Sequence, residues 1–181
     1  MSKKNLRKKL INFRKENFSN KIISYIQFRK ILKKLKLNNI KSVGGYYPIN
    51  GEIGCLQILK NLEKKNIKIS LPVTSKNNNM DFYGWSFKNL LKVSHLGIPE
   101  PQKKNKVYPD LLIVPLVGFD KNKFRLGYGG GFYDRYISKI SNFKKVLTVG
   151  FAFSFQKLKK IPINKFDKKL DFILTDKGQI I

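Results

Sequence analysis

The stretch Arg125-Leu-Gly-Tyr-Gly-Gly-Gly-Phe-Tyr-Asp-Arg135 holds four glycines in five positions. An apolar run at residues 111–115 precedes it, and residues 132–140 have the pattern of a helix. Glycines let the backbone adopt positive φ and approach a ligand closely. A strand, a glycine loop and a helix start together present N–H groups and partial positive charge to an anion. The stretch therefore predicts an α/β fold with an anion site at this turn.

The charged residues of this loop favour the phosphates of a nucleotide as the anion. Arg125 and Arg135 flank the glycines with cations, and Asp134 adds a carboxylate that a phosphate-bound Mg²⁺ could use. The alternative is a tight turn, but a turn needs only one or two positive-φ residues and no charged neighbours. The loop matches neither G-x-x-x-x-G-K-[ST] nor the dinucleotide fingerprint, so these motifs leave the nucleotide open.

Length and composition predict one cytoplasmic domain over residues 1–181. Hydrophobic residues make up 41% of the chain, which is enough for a proper core. The single cysteine, Cys55, excludes an internal disulfide and a cysteine-rich metal site, and it fits a reducing compartment. No apolar run reaches membrane-spanning length, and the first residues lack a signal-peptide pattern. We therefore expect no membrane partner, and a monomer or weak dimer.

The net charge of +27 suggests nucleic acid as a partner, but its distribution argues against specific binding. Lysines are spread over the whole chain with asparagine and isoleucine, and Ala152 is the only alanine. Such a bias is typical of a genome rich in A and T, whereas a binding face would concentrate its charge. We expect weak, salt-sensitive association and no specific nucleic-acid partner.

The first part of the chain predicts two helices with one apolar stripe each. In residues 3–15 the stripe is Leu6, Leu10 and Phe13. Lys3 and Arg7 lie one turn apart on the same side of this helix, either as solvated residues or as a pair that reaches a phosphate. The second helix would be capped by Ser19 and would bury Tyr25, Phe28, Leu32 and Leu35.

The rest of the chain alternates predicted strands with helices. We expect strands at residues 40–47, 67–73, 80–87, 111–117 and 146–152, with a last short strand in the tail. The strand at residues 67–73 should stop at Pro72. Residues 94–106 should form a long loop in which His95 has a structural role or is exposed. Asn50 is expected to cap a helix with Glu52 in its first turn. This alternation predicts a mainly parallel sheet.

Several of these residues, in register over nearly the whole chain, resemble the 5-formyltetrahydrofolate cyclo-ligase family. The glycine stretch is the most specific part, because a Pro…Phe-Asp run (Val114-Pro115 to Phe119-Asp120) precedes it. The other matching elements are Lys3-x-x-x-Arg7, Tyr47-Pro48 followed by Glu52, Leu71-Pro72, Met80-x-Phe82, Glu100-Pro101, Pro162, Asp167 and Asp171.

The resemblance implies a three-layer α/β/α domain that uses ATP and Mg²⁺ to close 5-formyltetrahydrofolate to 5,10-methenyltetrahydrofolate. It implies that Lys3, Arg7, Arg125 and Tyr133 are catalytic, and that Asp134 and Asp167 hold the metal. The implied ATP contacts are Lys3, Arg7, Arg125, Leu126, Gly127, Tyr128, Gly129, Gly130, Gly131, Phe132 and Tyr133. The implied folate contacts are Tyr47, Glu52, Tyr128, Gly129, Gly130, Gly131 and Phe132.

The chain departs from the family pattern at Gly54-Cys55, at Val73 and at Leu116. The first change could alter folate contacts, and the second could remove a contact to phosphate or to glutamate. Two rival interpretations follow. One is a family relative that has lost folate turnover, which Glu52 and the two aspartates disfavour. The other is a basic RNA-binding protein, which would concentrate its charge beside exposed aromatic residues.

Overall fold

The computed structural model describes residues 2–17, 22–34 and 39–181. Within these ranges the helices are α1 (Lys3–Glu16), α2 (Tyr25–Lys34), α3 (Leu56–Glu63) and α4 (Phe132–Ser141), with a 3-10 turn at Ser154–Gln156. The strands are β1 (Ser42–Gly44), β2 (Lys68–Thr74), β3 (Met80–Gly84), β4 (Lys92–Val93), β5 (Pro99–Glu100), β6 (Lys106–Val107), β7 (Leu111–Pro115), β8 (Gly118–Asp120), β9 (Arg125–Leu126), β10 (Leu147–Ala152), β11 (Lys157–Leu158) and β12 (Phe172–Thr175). No helix within the described residues is long and apolar enough to cross a membrane.

The main sheet has the strand order β12-β10-β7-β1-β2-β3-β6. Strands β12, β10, β7, β1 and β2 pair in parallel, whereas β3 and β6 add an antiparallel edge. Smaller sheets are formed by β11-β8-β9 and by β4-β5. The predicted α/β fold with a mainly parallel sheet is thus confirmed.

Helices cover both faces of the sheet. Successive side chains of a strand point to opposite faces, and in β7 Leu111 and Ile113 pack in one core cluster while Leu112 and Val114 pack in another. The first cluster includes the buried faces of α2 and α3, and the second includes that of α4. A strand apolar at every position is buried on both faces. The arrangement is a three-layer α/β/α domain.

Helix α1 packs away from these two clusters, on a smaller one. Its Leu10 contacts a group formed by Val117, Leu126 and Ile161. Ser2 caps the helix by accepting a hydrogen bond from the backbone N–H of Asn5. This contact places α1 beside the strand that leads into the glycine loop.

Two expectations about local structure were wrong. Asn50 does not cap a helix: it has φ of 49° and Gly51 has φ of 71°, so the pair forms a turn. Asn and Gly tolerate the left-handed region better than other residues do, and together they favour turns. Helix α3 therefore begins only at Leu56, and Glu52 lies before it, not in its first turn.

The second error concerns Pro72, which does not end β2. Hydrogen bonds from Trp85 N to Ile69 O and from Ser75 N to Asn79 O place the odd-numbered residues of β2 at the hydrogen-bonded positions facing β3. In an antiparallel pair the intervening residues direct their N–H groups away from that partner. On the other side β1 has already ended, since its last pair is Gly44 with Ser70. The missing N–H of Pro72 therefore costs no ladder hydrogen bond.

Smaller differences concern lengths and buried faces. The strand expected over residues 40–47 contains only three residues, and the expected loop at 94–106 contains the short strands β5 and β6. Helix α2 buries Phe28 and Ile31, with Tyr25 and Leu32 partly buried. His95 is exposed. The predicted cap Ser19 and the stripe residue Leu35 lie outside the described residues.

Candidate functional site

A cavity of about 740 Å³ opens at the carboxyl ends of β1, β2 and β7. Strand β2 lies on one side of β1 and β7 lies on the other. The order in which strands are added to the sheet therefore reverses at β1. Open α/β sheets bind ligands at such a switch point. Every site residue named from the sequence lines this cavity: Lys3, Arg7, Tyr47, Glu52, Arg125, Leu126, Gly127, Tyr128, Gly129, Gly130, Gly131, Phe132, Tyr133, Asp134 and Asp167.

The glycine loop connects β9 to α4 and needs glycine for its backbone shape. Gly129 has φ of 113° and Gly131, the residue before α4, has φ of 65°. A Cβ on Gly129 would lie 3.5 Å from Cζ of Arg7, so α1 approaches the loop closely. Asp134 lies in the first turn of α4. The loop thus brings flexible backbone, a helix start and a carboxylate to one wall of the cavity.

Helix α1 supplies two cations to the same wall. Lys3 Nζ lies 2.6 Å from Asp167 Oδ2. Arg7 Nε donates a hydrogen bond of 2.7 Å to the carbonyl oxygen of Gly127. The spacing of one helical turn therefore lets Lys3 reach Asp167 while Arg7 reaches the glycine loop. Arg7 and Gly127 are 120 residues apart in the sequence.

A third cation, Arg125, is 7% exposed and is paired with Asp134. Its Nη2 lies 2.9 Å from Asp134 Oδ1, and its Nη1 donates to the carbonyl oxygen of Lys168. Burial lowers the pKa of Arg125, and the charge of Asp134 opposes that shift. Lys168 N also donates to Asp134 Oδ1, at 2.9 Å. These bonds connect the start of α4 to the segment that contains Asp167.

Asp134 and Asp167 lie on the same cavity, and each already has a cationic partner. Among the described residues, no three His, Cys, Asp or Glu side chains are grouped closely enough to hold a metal by themselves. Mg²⁺ is commonly bound by one or two carboxylates together with substrate phosphates and water. The two aspartates, which line the cavity together with the glycine loop, fit that kind of site.

A second part of the cavity wall is built around Glu52, which is 9% exposed. Its Oε2 accepts a hydrogen bond from Ile49 N at 3.0 Å. Burial raises the pKa of Glu52 to about 7, although Ile49 N–H, the charge of Arg14 and the Tyr128 hydroxyl act in the opposite direction. Tyr47 lines the cavity on the same connection. This part of the wall offers a buried carboxylate whose charge changes near neutral pH.

Tyr133 has a buried hydroxyl with no hydrogen-bond partner among the described residues. Its ring lies 5.9 Å from Cζ of Arg125, and burial raises its pKa well above the ordinary range. The hydroxyl is therefore neutral and free to donate. Buried polar groups are rarely left unpaired, so a free donor on a cavity-lining residue is a candidate ligand contact.

Sequence reasoning missed two contributions to the site. Leu96 and Ile98 line the cavity from a segment that was expected only to be a long loop. Arg14, on the last turn of α1, is buried and donates to the hydroxyl of Tyr128. The available signal for Arg14 was its spacing of seven residues from Arg7, which places both on one face of the helix.

The residues that depart from the family pattern do not themselves line this cavity. Cys55 is fully buried, its Sγ donates to Tyr46 O, and burial raises its pKa to about 12. Val73 is buried in β2. Neither residue is among the described residues that line the cavity, and Gly54 is not among them either. Cys55 still contacts the wall of the site, because Tyr46, its hydrogen-bond partner, lines the cavity.

Comparison with known proteins identifies the family. The model of the 5-formyltetrahydrofolate cyclo-ligase family matches residues 1–176. A 5-formyltetrahydrofolate cyclo-ligase from Haemophilus influenzae is 32% identical over 151 residues, covering 80% of each chain.

Two solved structures of similar proteins have the same fold. The 5,10-methenyltetrahydrofolate synthetase of Mycoplasma pneumoniae is 26% identical, with a TM-score of 0.75 over 97% of this chain and 99% of its own. That of Aquifex aeolicus is 30% identical, with a TM-score of 0.73 over 99% of this chain and 92% of its own. The chain therefore belongs to the 5-formyltetrahydrofolate cyclo-ligase family of ligases.

Proposed function

We propose that this ligase closes 5-formyltetrahydrofolate to 5,10-methenyltetrahydrofolate with ATP and Mg²⁺, and releases ADP and phosphate. The observation that carries the proposal is that two chemically different groups of residues line one cavity. Lys3, Arg7 and Arg125 lie with the glycine loop, and we call this group the phosphate end because it suits a triphosphate. The buried carboxylate of Glu52 marks what we call the folate end, because it suits the amine-rich edge of a pterin.

At the phosphate end, the protein would neutralise and orient charge. Backbone N–H groups of residues 127–131 and the start of α4 favour anions. Lys3 and Arg7 reach the same wall and are held there by Asp167 and by Gly127. Mg²⁺ at Asp134 and Asp167 would offset further negative charge on the phosphates.

At the folate end, ionised Glu52 would accept two hydrogen bonds from the pterin, since a carboxylate has two acceptor oxygens. Tyr47 and the glycine loop from Tyr128 to Phe132 line the same cavity as Glu52. A ligand that binds both ends would place its reacting atoms against the loop. The free hydroxyl of Tyr133 would then find an acceptor.

The reaction needs alignment more than it needs a protein nucleophile. The formyl oxygen attacks the γ-phosphorus and ADP leaves; N10 then attacks the activated formyl carbon, phosphate departs with the formyl oxygen, and the N10 proton is lost. Phosphoryl transfer is promoted mainly by positioning and by stabilising charge. Lys3, Arg7, Arg125 and the loop amides are arranged for that role.

We further propose that the protein works in the cytoplasm as a monomer or weak dimer, with neither membrane nor specific nucleic-acid partner. The support is chemical. Cys55 is a free, buried thiol, and the 38 basic residues are spread over the sequence. Scattered lysines release counterions without reading bases, so any binding to nucleic acid should decrease steeply with salt.

The first experiment mixes purified protein with 5-formyltetrahydrofolate, ATP and Mg²⁺ and follows the absorbance of the methenyl product. We expect product only when all three components are present, because the loop, the carboxylates and Glu52 serve different parts of one reaction. Folate binding without turnover would favour the relative that has lost its activity. A folded protein that makes no chromophore from the complete mixture would overturn the proposal.

A second experiment identifies which bond of ATP breaks. With oxygen-18 in the formyl group, we expect the label in released phosphate and ADP as the nucleotide product, because Lys3, Arg7 and Arg125 would surround the triphosphate tail. The control is the same reaction with unlabelled folate in labelled water. AMP as the product, or label retained elsewhere, would contradict phosphorylation of the formyl oxygen.

A further inference from the structure

Arg14 is an arginine with 1% of its surface exposed. Its Nη1 donates to the carbonyl oxygen of Leu116 at 3.3 Å, and its Nη2 donates to the hydroxyl of Tyr128. Its Cζ also lies 5.8 Å from the centroid of the Tyr128 ring. Both a hydrogen bond and the ring face thus connect this guanidinium to the glycine loop. Arg14 does not itself line the cavity among the described residues.

A buried guanidinium is costly to keep in place when no carboxylate neutralises it. Within the described part of the chain, no carboxylate oxygen lies within 4.0 Å of Arg14, and its Nε has no hydrogen-bond partner. Leu10, one turn earlier, holds the same helix through ordinary apolar packing. The bond to Leu116 O connects α1 to the residue after β7, whereas the second hydrogen bond of the guanidinium goes to Tyr128 on the cavity wall.

Tyr128 lies between Arg14 and the folate end of the cavity. It lines the cavity and is 39% exposed, and its hydroxyl contacts Arg14. Its hydroxyl accepts the bond from Arg14 and keeps its own hydrogen for a further acceptor. That hydroxyl and the charge of Arg14 both lower the pKa of Glu52.

We propose that Arg14 is a positioning residue for folate: it holds Tyr128 through the hydroxyl and the ring, and supplies the positive charge that faces Glu52 from behind the cavity wall. The proposal rests on the proposed function, since it names a residue that prepares the folate end of that site. Arg14 acts through Tyr128 and Glu52 without touching the substrate.

The other titratable groups that face Glu52 cannot supply this charge. Tyr46, Cys55 and Tyr133 interact electrostatically with Glu52, and burial raises the pKa of each. All three are consequently neutral at pH 7. Among the described groups that act on Glu52, Arg14 is the cation.

The test measures 5-formyltetrahydrofolate binding by calorimetry, without ATP, for three variants of full-length protein. Arg14→Lys keeps the charge, Arg14→Gln keeps a donor without the charge, and Arg14→Met removes both. We expect the dissociation constant to rise about tenfold for Met, as for the loss of one hydrogen bond to a charged group, with Lys the least affected. The pH at which folate binding is half-lost should move upward for Gln and Met and stay in place for Lys.

A double-mutant cycle tests the route through Tyr128. If Arg14 acts through the phenol hydroxyl, Tyr128→Phe should remove part of the effect of Arg14→Met, so the double variant binds better than two independent losses predict. Circular dichroism checks that each variant is folded. Should Arg14→Met not fold, Arg14→Gln replaces it in both comparisons.

A residue that only stabilises the fold would weaken folate and ATP binding alike and leave the pH midpoint unchanged. That result, or wild-type folate binding in both the Gln and Met variants, would overturn the proposal. Folate binding by the wild-type protein also separates this inference from the proposed function. Wild-type protein that binds folate but makes no methenyl product would contradict only the proposed function. Wild-type protein that binds no folate would contradict both proposals.

Discussion

Gly129→Val is expected to lower turnover by about a thousandfold, the loss typical of removing a donor that stabilises a transition state, while the protein stays folded. At φ of 113°, Gly129 has a backbone conformation that side chains rarely adopt. Valine would force the loop to another shape and move its N–H groups away from the phosphates. Gly130→Val should also reduce activity, because its Cβ would lie 2.7 Å from the ring of Phe132.

The matched control for Gly129→Val is Gly178→Val. Gly178 has φ of 72° and lies in a turn after β12, outside the residues that line the cavity. Both substitutions force valine into the left-handed region, at a cost of roughly 1–2 kcal/mol. We expect similar losses of unfolding free energy, with ATP affinity and turnover lost only at position 129. Full turnover and ATP affinity in Gly129→Val would show that the loop does not bind phosphate.

Glu52→Gln is expected to make the protein more stable and a much weaker folate binder. The pKa of this carboxyl rises from 4.5 to about 7 in the folded protein, which corresponds to a cost of about 3 kcal/mol for carrying the charge. Because the folded pKa is raised, stability is highest below the unfolded pKa and decreases as pH rises toward 7. Glutamine removes this penalty and keeps an acceptor oxygen for Ile49 N.

The measurement compares urea unfolding of wild type and Glu52→Gln at pH 5 and pH 8. The gain of the variant should be larger at pH 8, whereas its affinity for 5-formyltetrahydrofolate at pH 8 should drop about a hundredfold through loss of a charge-assisted contact. Glu63→Gln, on α3, serves as the control for losing one carboxylate. Equal folate affinity in Glu52→Gln and wild type would falsify the role of Glu52 as a pterin contact.

The glycine loop could be predicted from sequence because its constraint is local. Four glycines before a helical pattern leave few alternatives, and the structure has the loop followed directly by α4. The expected strand before the loop was the apolar run at residues 111–115, whereas β8 and β9 lie between that strand, β7, and the loop. The continuous apolar run of β7 likewise predicted a strand buried on both faces. Asn50 and Glu52 resembled a helix start as well as they resembled a turn, and only the φ values of Asn50 and Gly51 separate the two.

Other features depend on pairings that a sequence pattern does not contain. Whether Pro72 ends β2 depends on how far the neighbouring strand β1 extends, and β1 belongs to a different part of the chain. Arg14 is 102 residues from Leu116 and 114 from Tyr128, so its burial follows from the tertiary fold. The same holds for the partners of Asp134 and Asp167. The residues that line the cavity could be named from sequence motifs, whereas the contacts behind the cavity wall follow from the tertiary fold.

Helix α1 makes ligand binding at the site depend on whether the helix is docked on the domain. It carries Lys3, Arg7 and Arg14, yet its buried apolar contact is the small cluster around Leu10. Local opening of a weakly packed element is a cheaper fluctuation than global unfolding. Each such opening would withdraw Lys3 and Arg7 from the cavity and Arg14 from behind its wall, and any ligand that binds Lys3 and Arg7 would favour the docked helix by mass action. If Lys3 and Arg7 bind the phosphates as proposed, substrate occupancy and the docking of α1 form one linked equilibrium. Changes to the apolar contacts of Leu10 would then alter apparent affinity without altering any group that touches the ligand.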